Sequence, residues 1–184
     1  MVETDELIYN RYLKDQSEAD LGILLERHRE SLILFLFSFL HDMDDAEELM
    51  LDTYAEIAAG CRFSGRSSFR TWLFSIGKHK ALMYLRKRKA YAELEEGIED
   101  ESAVSPELSI LGRERNRELY KAMEVINVEY RRVLILVYFE DMTVEEAALT
   151  MGKTRKQIYN LLERGKKALK EELEKSGFIF DISI

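Results

Sequence analysis

Nine cations and six aromatic rings share one stretch of this 184-residue chain. No Asp or Glu lies between Glu56 and Glu93, a window that holds Arg62, Arg66, Arg70, Lys78, Lys80, Arg86, Lys87, Arg88 and Lys89, with His79 beside them. Phe63, Phe69, Trp72, Phe74, Tyr84 and Tyr91 are interleaved with these cations. Cations neutralise phosphates and rings stack on exposed bases, so these residue types suit a separated nucleic-acid strand. In a competing reading the rings are core and the cations are solvated surface, and it suits Leu73 and Phe74 well. A protein surface normally mixes both signs, however. Thirty-six residues without one acid are unusual in a chain with 35 Asp+Glu, 27 Lys+Arg and a net charge of −8.

Magnitudes limit what the segment does unaided. Stacking one base on a ring returns about 1–3 kcal/mol. Opening a duplex costs about 1.4 kcal/mol per base-pair step in stacking alone. A few rings therefore hold a base or two, and a larger partner must drive strand separation. The net negative charge also weakens unassisted association with DNA.

A second set of residues suits duplex reading. In "TVEEAALTMGKTRKQIYNLLERGKKALKEEL", 143–173, Thr143 and Glu146 have capping-box spacing, as do Thr154 and Gln157. Gly152 lies between them, where a tight helix-to-helix turn is needed. Ala147, Ala148 and Met151 line one helix, and Ile158, Leu161, Leu162, Ala168 and Leu169 the next. This pattern predicts a helix-turn-helix with 154 onward as the reading helix. Its outer face offers Arg155, Lys156, Tyr159, Asn160, Arg164 and Lys167. Arg and Asn make paired hydrogen bonds to base edges, whereas Lys mostly positions phosphates. A solvated basic helix in a plain bundle is the alternative.

The elements that position these residues read as helices. One Pro, nine Gly and one Cys leave too few turn signals for a β-fold and no internal disulfide. Leu21, Leu24, Leu25, His28, Leu32, Phe35, Leu36, Phe39 and Leu40 repeat at helical spacing, with His28 expected as a hydrogen-bonded core residue. Leu49, Met50, Thr53, Tyr54, Ile57 and Ala58 form a second stripe; Phe69, Trp72, Leu73 and Ile76 open a third. The run "SLILFLFSFL", 31–40, spans about half a bilayer and reads as a buried core helix. Met123, Ile126, Val133, Leu134 and Val137 read as core of a supporting helical segment. There, Arg131 and Arg132 either touch phosphates or are solvated.

Charge alternates in blocks along the chain. Residues 41–56 and 93–112 each hold seven acids and no Lys or Arg, and 153–170 holds seven Lys/Arg against Glu163 alone. Asp45, Glu48, Leu49, Asp52 and Glu56 share a broad helical stripe suited to a basic partner, or simply to water. "DMDDAEELMLDT" lacks the Gly and Glu of a calcium loop. The segment 93–112, with Pro106, reads as a flexible linker between regions 1–92 and 113–175, ahead of an apolar tail, 176–184. Twenty such residues span about 25 Å on average and at most about 66 Å, which suits DNA sites one to two turns apart. The expected class is all-α, with two small helical domains.

Arranged in this order, the chain resembles the bacterial RNA polymerase sigma factors of the extracytoplasmic-function (ECF) group over most of residues 5–173. "DDAEELMLDTYAEI" is similar to the family's clamp-binding helix. "FSGRSSFRTWLFSIGKHKALMYLRKRK" resembles its −10 reading and strand-capture segment, and 142–173 its −35 reading helix-turn-helix. Leu51 stands where the family usually has Gln, Leu161 at a commonly basic position, and "KTRKQ" replaces I-P-x-G-T.

The resemblance implies a dissociable promoter-specificity subunit with sigma domain two at 1–92 and sigma domain four at 113–175. Asp45, Glu48, Leu49, Asp52 and Glu56 would face the polymerase clamp. The loop near Cys61–Arg66, with Arg62 and Phe63, would hold an extruded −10 base. Phe69, Arg70 and Trp72 would lie in strand capture, although Trp72 is equally suited to the core. Lys78, Lys80, Arg86 and Arg88 would follow the DNA backbone, and the exposed face from Arg155 to Lys167 would read the −35 element. The implied partners are core RNA polymerase, promoter DNA and an anti-sigma factor, with no cofactor, no metal, no small-molecule substrate and no membrane insertion.

Rival readings are a helix-turn-helix regulator acting without polymerase, and a helical interaction protein that binds no DNA. An enzyme fits least: His28, His41 and His79 are scattered, and neither a phosphate loop nor H-E-x-x-H occurs. No basic-then-apolar leader opens the chain, and the location expected is the cytoplasm.

Overall fold

The computed structural model describes residues 3–60, 63–94 and 117–175. Arg62, most of the 93–112 linker and the 176–184 tail lie outside the described residues. The chain divides into two compact units, Met1–Ala103 and Val104–Ile184. The described residues form helices and their connections, with no strand.

The first unit contains α1 (Asp5–Asp15), α2 (Glu18–Leu40), α3 (Met43–Ala58) and α4 (Phe69–Leu94). The last helix thus runs two residues into the segment predicted as linker. Three of its boundaries have local causes. The Thr4 side chain accepts the Leu7 N–H to start α1, and the Asp42 side chain accepts the Asp45 N–H at 2.9 Å to start α3. His41 ends α2 in the left-handed region at φ 56°, its N–H donating to the Phe37 carbonyl at 2.9 Å. Asp44 and Asp45 in the first turn of α3 favour its positive dipole end.

The run 31–40 is the buried core helix its composition predicts: the second half of α2 is buried beyond the predicted stripe, whereas its first half exposes Arg27 and Glu30. Every residue from Ser31 to Leu40 except Phe39 is buried, including Ile33, Leu34, Phe37 and Ser38 outside the stripe. The reason is that α1, α3 and α4 all pack on this one helix. Gly77 permits a close approach of α4 to α2: a Cβ there would lie 3.1 Å from Leu32 Cδ1. On α3, Ala46, Leu49, Met50, Thr53, Tyr54 and Ile57 face inward, while Ala58, expected in that stripe, is exposed.

His28 is a hydrogen-bonded core residue, as its stripe position predicts. It is buried, with Nε2 3.0 Å from Asp5 Oδ2. A carboxylate only accepts, so the proton belongs to Nε2. Arg27 Nη1 lies 2.7 Å from Asp5 Oδ1. Burial raises the Asp5 pKa, but the His28 and Arg27 contacts outweigh it and hold the carboxyl below its ordinary value.

The second unit contains α5 (Arg117–Val125), α6 (Val128–Leu134) continued by a π-helical turn (Ile135–Phe139), α7 (Val144–Met151) and α8 (Arg155–Lys175). Met123, Ile126, Val133 and Leu134 are buried and Val137 half-buried, as core positions should be. Arg131 is neither a phosphate contact nor solvated. It is 5% exposed, and its guanidinium donates to the Met123 carbonyl at 2.6 Å and to the Glu124 carbonyl. Those carbonyls end α5 and lack intrahelical partners, so Arg131 caps the helix from the next element. Arg132 pairs with Glu129 at 3.0 Å, and Lys153 Nζ lies 2.7 Å from the same carboxylate. Burial raises the Glu129 pKa, but the two cations outweigh that effect and lower it.

Two outcomes are expected. Replacing Arg131 with Met leaves one buried and one half-buried carbonyl without their partner and costs about 1–3 kcal/mol. Chemical denaturation should show that loss, while the salt dependence of DNA binding stays as in the parent. For Asp5 the sign follows from its depressed folded pKa: its stabilisation is present at neutral pH and lost as pH falls below about 5. An Asp5→Asn variant should lose about 1–2 kcal/mol at pH 7 and show a flatter decline of melting temperature between about pH 5 and 3.

Candidate nucleic-acid interface

On α3, Glu48, Asp52 and Glu56 are spaced four apart and all exposed, making one acidic stripe. Leu51 beside them is 57% exposed, so the stripe has an apolar edge. Leu49, expected on this face, is 7% exposed and turned into the core instead. Asp45 is half-buried, and its Oδ2 accepts the Tyr84 hydroxyl at 2.7 Å. That bond pushes the Tyr84 pKa up to about 12.

The basic window is mostly helix α4. Its inward side buries Phe69, Leu73, Phe74, Gly77 and Ala81. Arg66, in the loop before it, is exposed; Arg70 and Lys78 are half-buried; His79, Arg86, Lys87, Arg88 and Lys89 are exposed. Arg70 to Arg88 covers about 27 Å along the axis at the usual helical rise. The positive surface is densest in the last turns, where four successive cations surround the helix.

Two predicted contacts of this segment are corrected. Phe69 is fully buried, so its ring offers no face to a base. It packs 5.2 Å from Tyr9 and 5.7 Å from Trp72, ring centre to ring centre. Lys80 pairs with Glu56 at 2.9 Å and is only 22% exposed, so it neutralises a neighbouring helix rather than standing open to a phosphate. Opposite charge on α3 brings this about: α3 and α4 lie side by side, and Asp52, Glu56, Lys80, Tyr84 and Lys87 line one shallow cleft. Trp72 and Phe63 are both half-buried, their ring centres 5.2 Å apart, so each keeps part of its surface open to solvent.

On the second unit, both capping boxes form. Thr143 Oγ1 accepts the Glu146 N–H at 3.2 Å and Glu146 Oε2 accepts the Thr143 N–H at 2.8 Å. Thr154 Oγ1 accepts the Gln157 N–H at 3.3 Å, and Gln157 Oε1 accepts the Thr154 N–H at 2.8 Å. Gly152 closes α7 at φ 68°, a conformation that favours glycine. Ile158, Leu162, Gly165 and Leu173 then bury one face of α8. Arg155, Lys156, Tyr159, Asn160, Arg164 and Lys167 are all exposed. Asn160, Leu161 and Arg164 border a hollow with Lys153 and Gln157. Arg155 Nε lies 3.1 Å from Glu145 Oε1 on α7, an exposed pair that solvent screens and an incoming phosphate or base can replace.

Sequence reasoning missed α1. Glu6 on that helix accepts the backbone N–H of Phe69, and Tyr9 packs against Phe63, Phe69 and Trp72. No local motif marks Glu6, since its partner lies 63 positions away. The Lys153–Glu129 pair, which ties the turn to α6, was missed for the same reason.

Comparisons with known proteins agree with this geometry. The family model for Sigma-70 region 2 matches residues 24–91, and that for Sigma-70, region 4 matches residues 116–169. The RNA polymerase sigma factor NccH of Alcaligenes xylosoxydans xylosoxydans is 30% identical over 182 residues, covering 94% of this chain and 96% of that protein. The ECF RNA polymerase sigma factor SigX of Bacillus subtilis (strain 168) is 26% identical over 166 residues, covering 85% of each. Among solved structures, the sigma factor RpoE in complex with the anti-sigma factor NepR from Bartonella quintana aligns with a TM-score of 0.61 and 26% identity, over 84% of this chain and 97% of that one. CnrH, solved with the cytosolic domain of CnrY, shares the fold at a TM-score of 0.60 and 22% identity, over 94% and 99% of the two chains. Two sigma regions in the right order, on helices that expose one acidic and two basic faces, mean that the chain belongs to the extracytoplasmic-function RNA polymerase sigma factors.

Proposed function

We propose that this alternative sigma factor divides promoter recognition between its two units. In the first, Glu48, Asp52 and Glu56 on α3 meet a basic surface of core polymerase, with Asp45 held behind them by Tyr84. Arg66 and the cations at the end of α4 follow the −10 DNA, and the Phe63–Trp72 pair receives a base that the polymerase has separated. In the second, Arg155, Asn160 and Arg164 read −35 base edges, while Lys156 and Lys167 position the backbone and Tyr159 packs on it. The observation that carries this reading is the exposure of two oppositely charged helix faces on one unit, the α3 acids and the terminal α4 cations.

The boundaries proposed for these roles are residues 1–92 and 113–175, joined by 93–112. The factor selects promoters and contributes no catalytic group. Its place of action is the cytoplasm, with the polymerase; no described helix is long and apolar enough to cross a membrane. Control by an anti-sigma factor is supported by the RpoE relative, which was solved bound to one.

Transcription in vitro tests the reading. Core polymerase plus this protein on genomic fragments should yield discrete start sites that core alone does not; their absence, with folded protein, sinks it. Arg155→Ala and Asn160→Ala should each narrow the affinity gap between matched and mismatched −35 duplexes by about 1–3 kcal/mol. An equal loss on every sequence would instead make them phosphate contacts.

A further inference from the structure

Helix α4 begins at Phe69, and the N–H groups of its first turn have no partner inside the helix. Ser68 supplies one local cap: its Oγ accepts the Thr71 N–H at 3.4 Å and is bonded to Thr71 Oγ1 at 2.8 Å. The other cap comes from far away in sequence. Glu6 Oε1, on α1, accepts the Phe69 N–H at 2.8 Å. A carboxylate on a helix N-terminus gains from the dipole and from a charge-assisted bond.

The same helix also holds the other end of the loop that precedes α4. Tyr9, one turn from Glu6, lies 6.0 Å from Phe63 edge to face and 5.4 Å from Trp72. The described residues 63–68 are therefore anchored on α1 twice, by a ring at Phe63 and by a carboxylate at Phe69, with exposed Arg66 between the anchors. The docking of α1 on the rest of the unit has separate ties. Asp5 engages Arg27 and His28, Arg11 engages Asp20, and the Tyr12 hydroxyl donates to the Ala58 carbonyl at 3.3 Å. At the start of α4 itself, the Glu6 bond acts on the Phe69 backbone, beside the Tyr9 ring that packs on the Phe69 side chain.

We infer that Glu6 is a positioning residue for −10 strand capture: by fixing the first residue of α4 it sets where the Phe63–Trp72 pair meets an extruded base. This rests on the assignment of that loop to the −10 base under the proposed function. Glu6 itself touches no nucleic acid. An amide oxygen accepts the same hydrogen bond, so Glu6→Gln should keep the geometry and Glu6→Ala should release it.

The test uses the full chain bound to core polymerase and single-stranded −10 oligonucleotides that differ at one base. The parent should prefer one base. Glu6→Ala should reduce that preference on the order of ten-fold, equivalent to about 1.4 kcal/mol, and Glu6→Gln should retain most of it. Affinity for core and for −35 duplex should stay within about two-fold of the parent, well under that 1.4 kcal/mol. Trp72 is the sole tryptophan, so its emission in the free protein should shift to the red in Glu6→Ala and not in Glu6→Gln. An undiminished base preference in Glu6→Ala overturns the inference, whatever its melting temperature. So does an equal loss on every oligonucleotide and on the −35 duplex, which would mean general loss of fold. A parent that reads −35 duplexes but shows no −10 base preference would remove the loop assignment itself, and Glu6's role with it.

Discussion

The apolar run Ser31–Leu40 must be hidden from water, and this requirement organises the first unit. A helix that is apolar on every side cannot lie on a surface; it needs neighbours all round. Each Leu, Ile or Phe buried there contributes about 1.5–3 kcal/mol, far more than any exposed ion pair in the unit. So α1, α3 and α4 are placed by their fit to α2, and their polar faces point outward as a consequence. The acidic stripe of α3 and the cations of α4 are the outer sides of helices whose inner sides were selected for packing. Leu49 and Phe69 show the priority: each has a charged neighbour in sequence, exposed Glu48 or half-buried Arg70, and each is drawn into the core.

Packing α3 beside α4 brings together the two blocks of opposite charge. The result is partial self-neutralisation. Lys80 meets Glu56, and Tyr84 meets Asp45, along the seam between the helices. What remains exposed divides by helix: Glu48 and Asp52 on α3, Arg86 to Lys89 in the last turns of α4, with Asp52 and Lys87 flanking the seam itself. Adjacent helices with unlike outer faces give one small domain two chemically distinct surfaces without added core. Such an arrangement suits a subunit that must hold a protein and a DNA strand at the same time.

The second unit solves a related problem at smaller scale. Apart from α8 its helices are short, and isolated short helices are marginal in water. Their ends are therefore tied by side chains, some local and some from neighbouring elements. Two reciprocal capping boxes start α7 and α8, Arg131 closes α5, and the Lys153–Glu129–Arg132 group links the turn to α6. These ties orient α8 so that its apolar side faces inward and its Arg, Asn and Lys side chains stand in solvent.

Much of this was legible in the residues alone. Helical class, both capping boxes, the turn at Gly152, the buried His28 and the exposed face of α8 follow from short-range patterns. In each, the pattern lies within four residues or along one helix face, although the partner of His28, Asp5, comes from another helix. The tertiary structure decided what depended on distant partners. Arg131 looked like a surface cation because nothing nearby announces two orphan carbonyls eight and seven positions earlier. Phe69 looked available to a base until Tyr9, from another helix, covered it. Lys80 became half of an ion pair once α3 lay alongside, and Glu6 acquired a partner 63 positions away. Periodicity states which side of a helix is apolar; only the packed neighbours determine how much of the remaining surface is left for function.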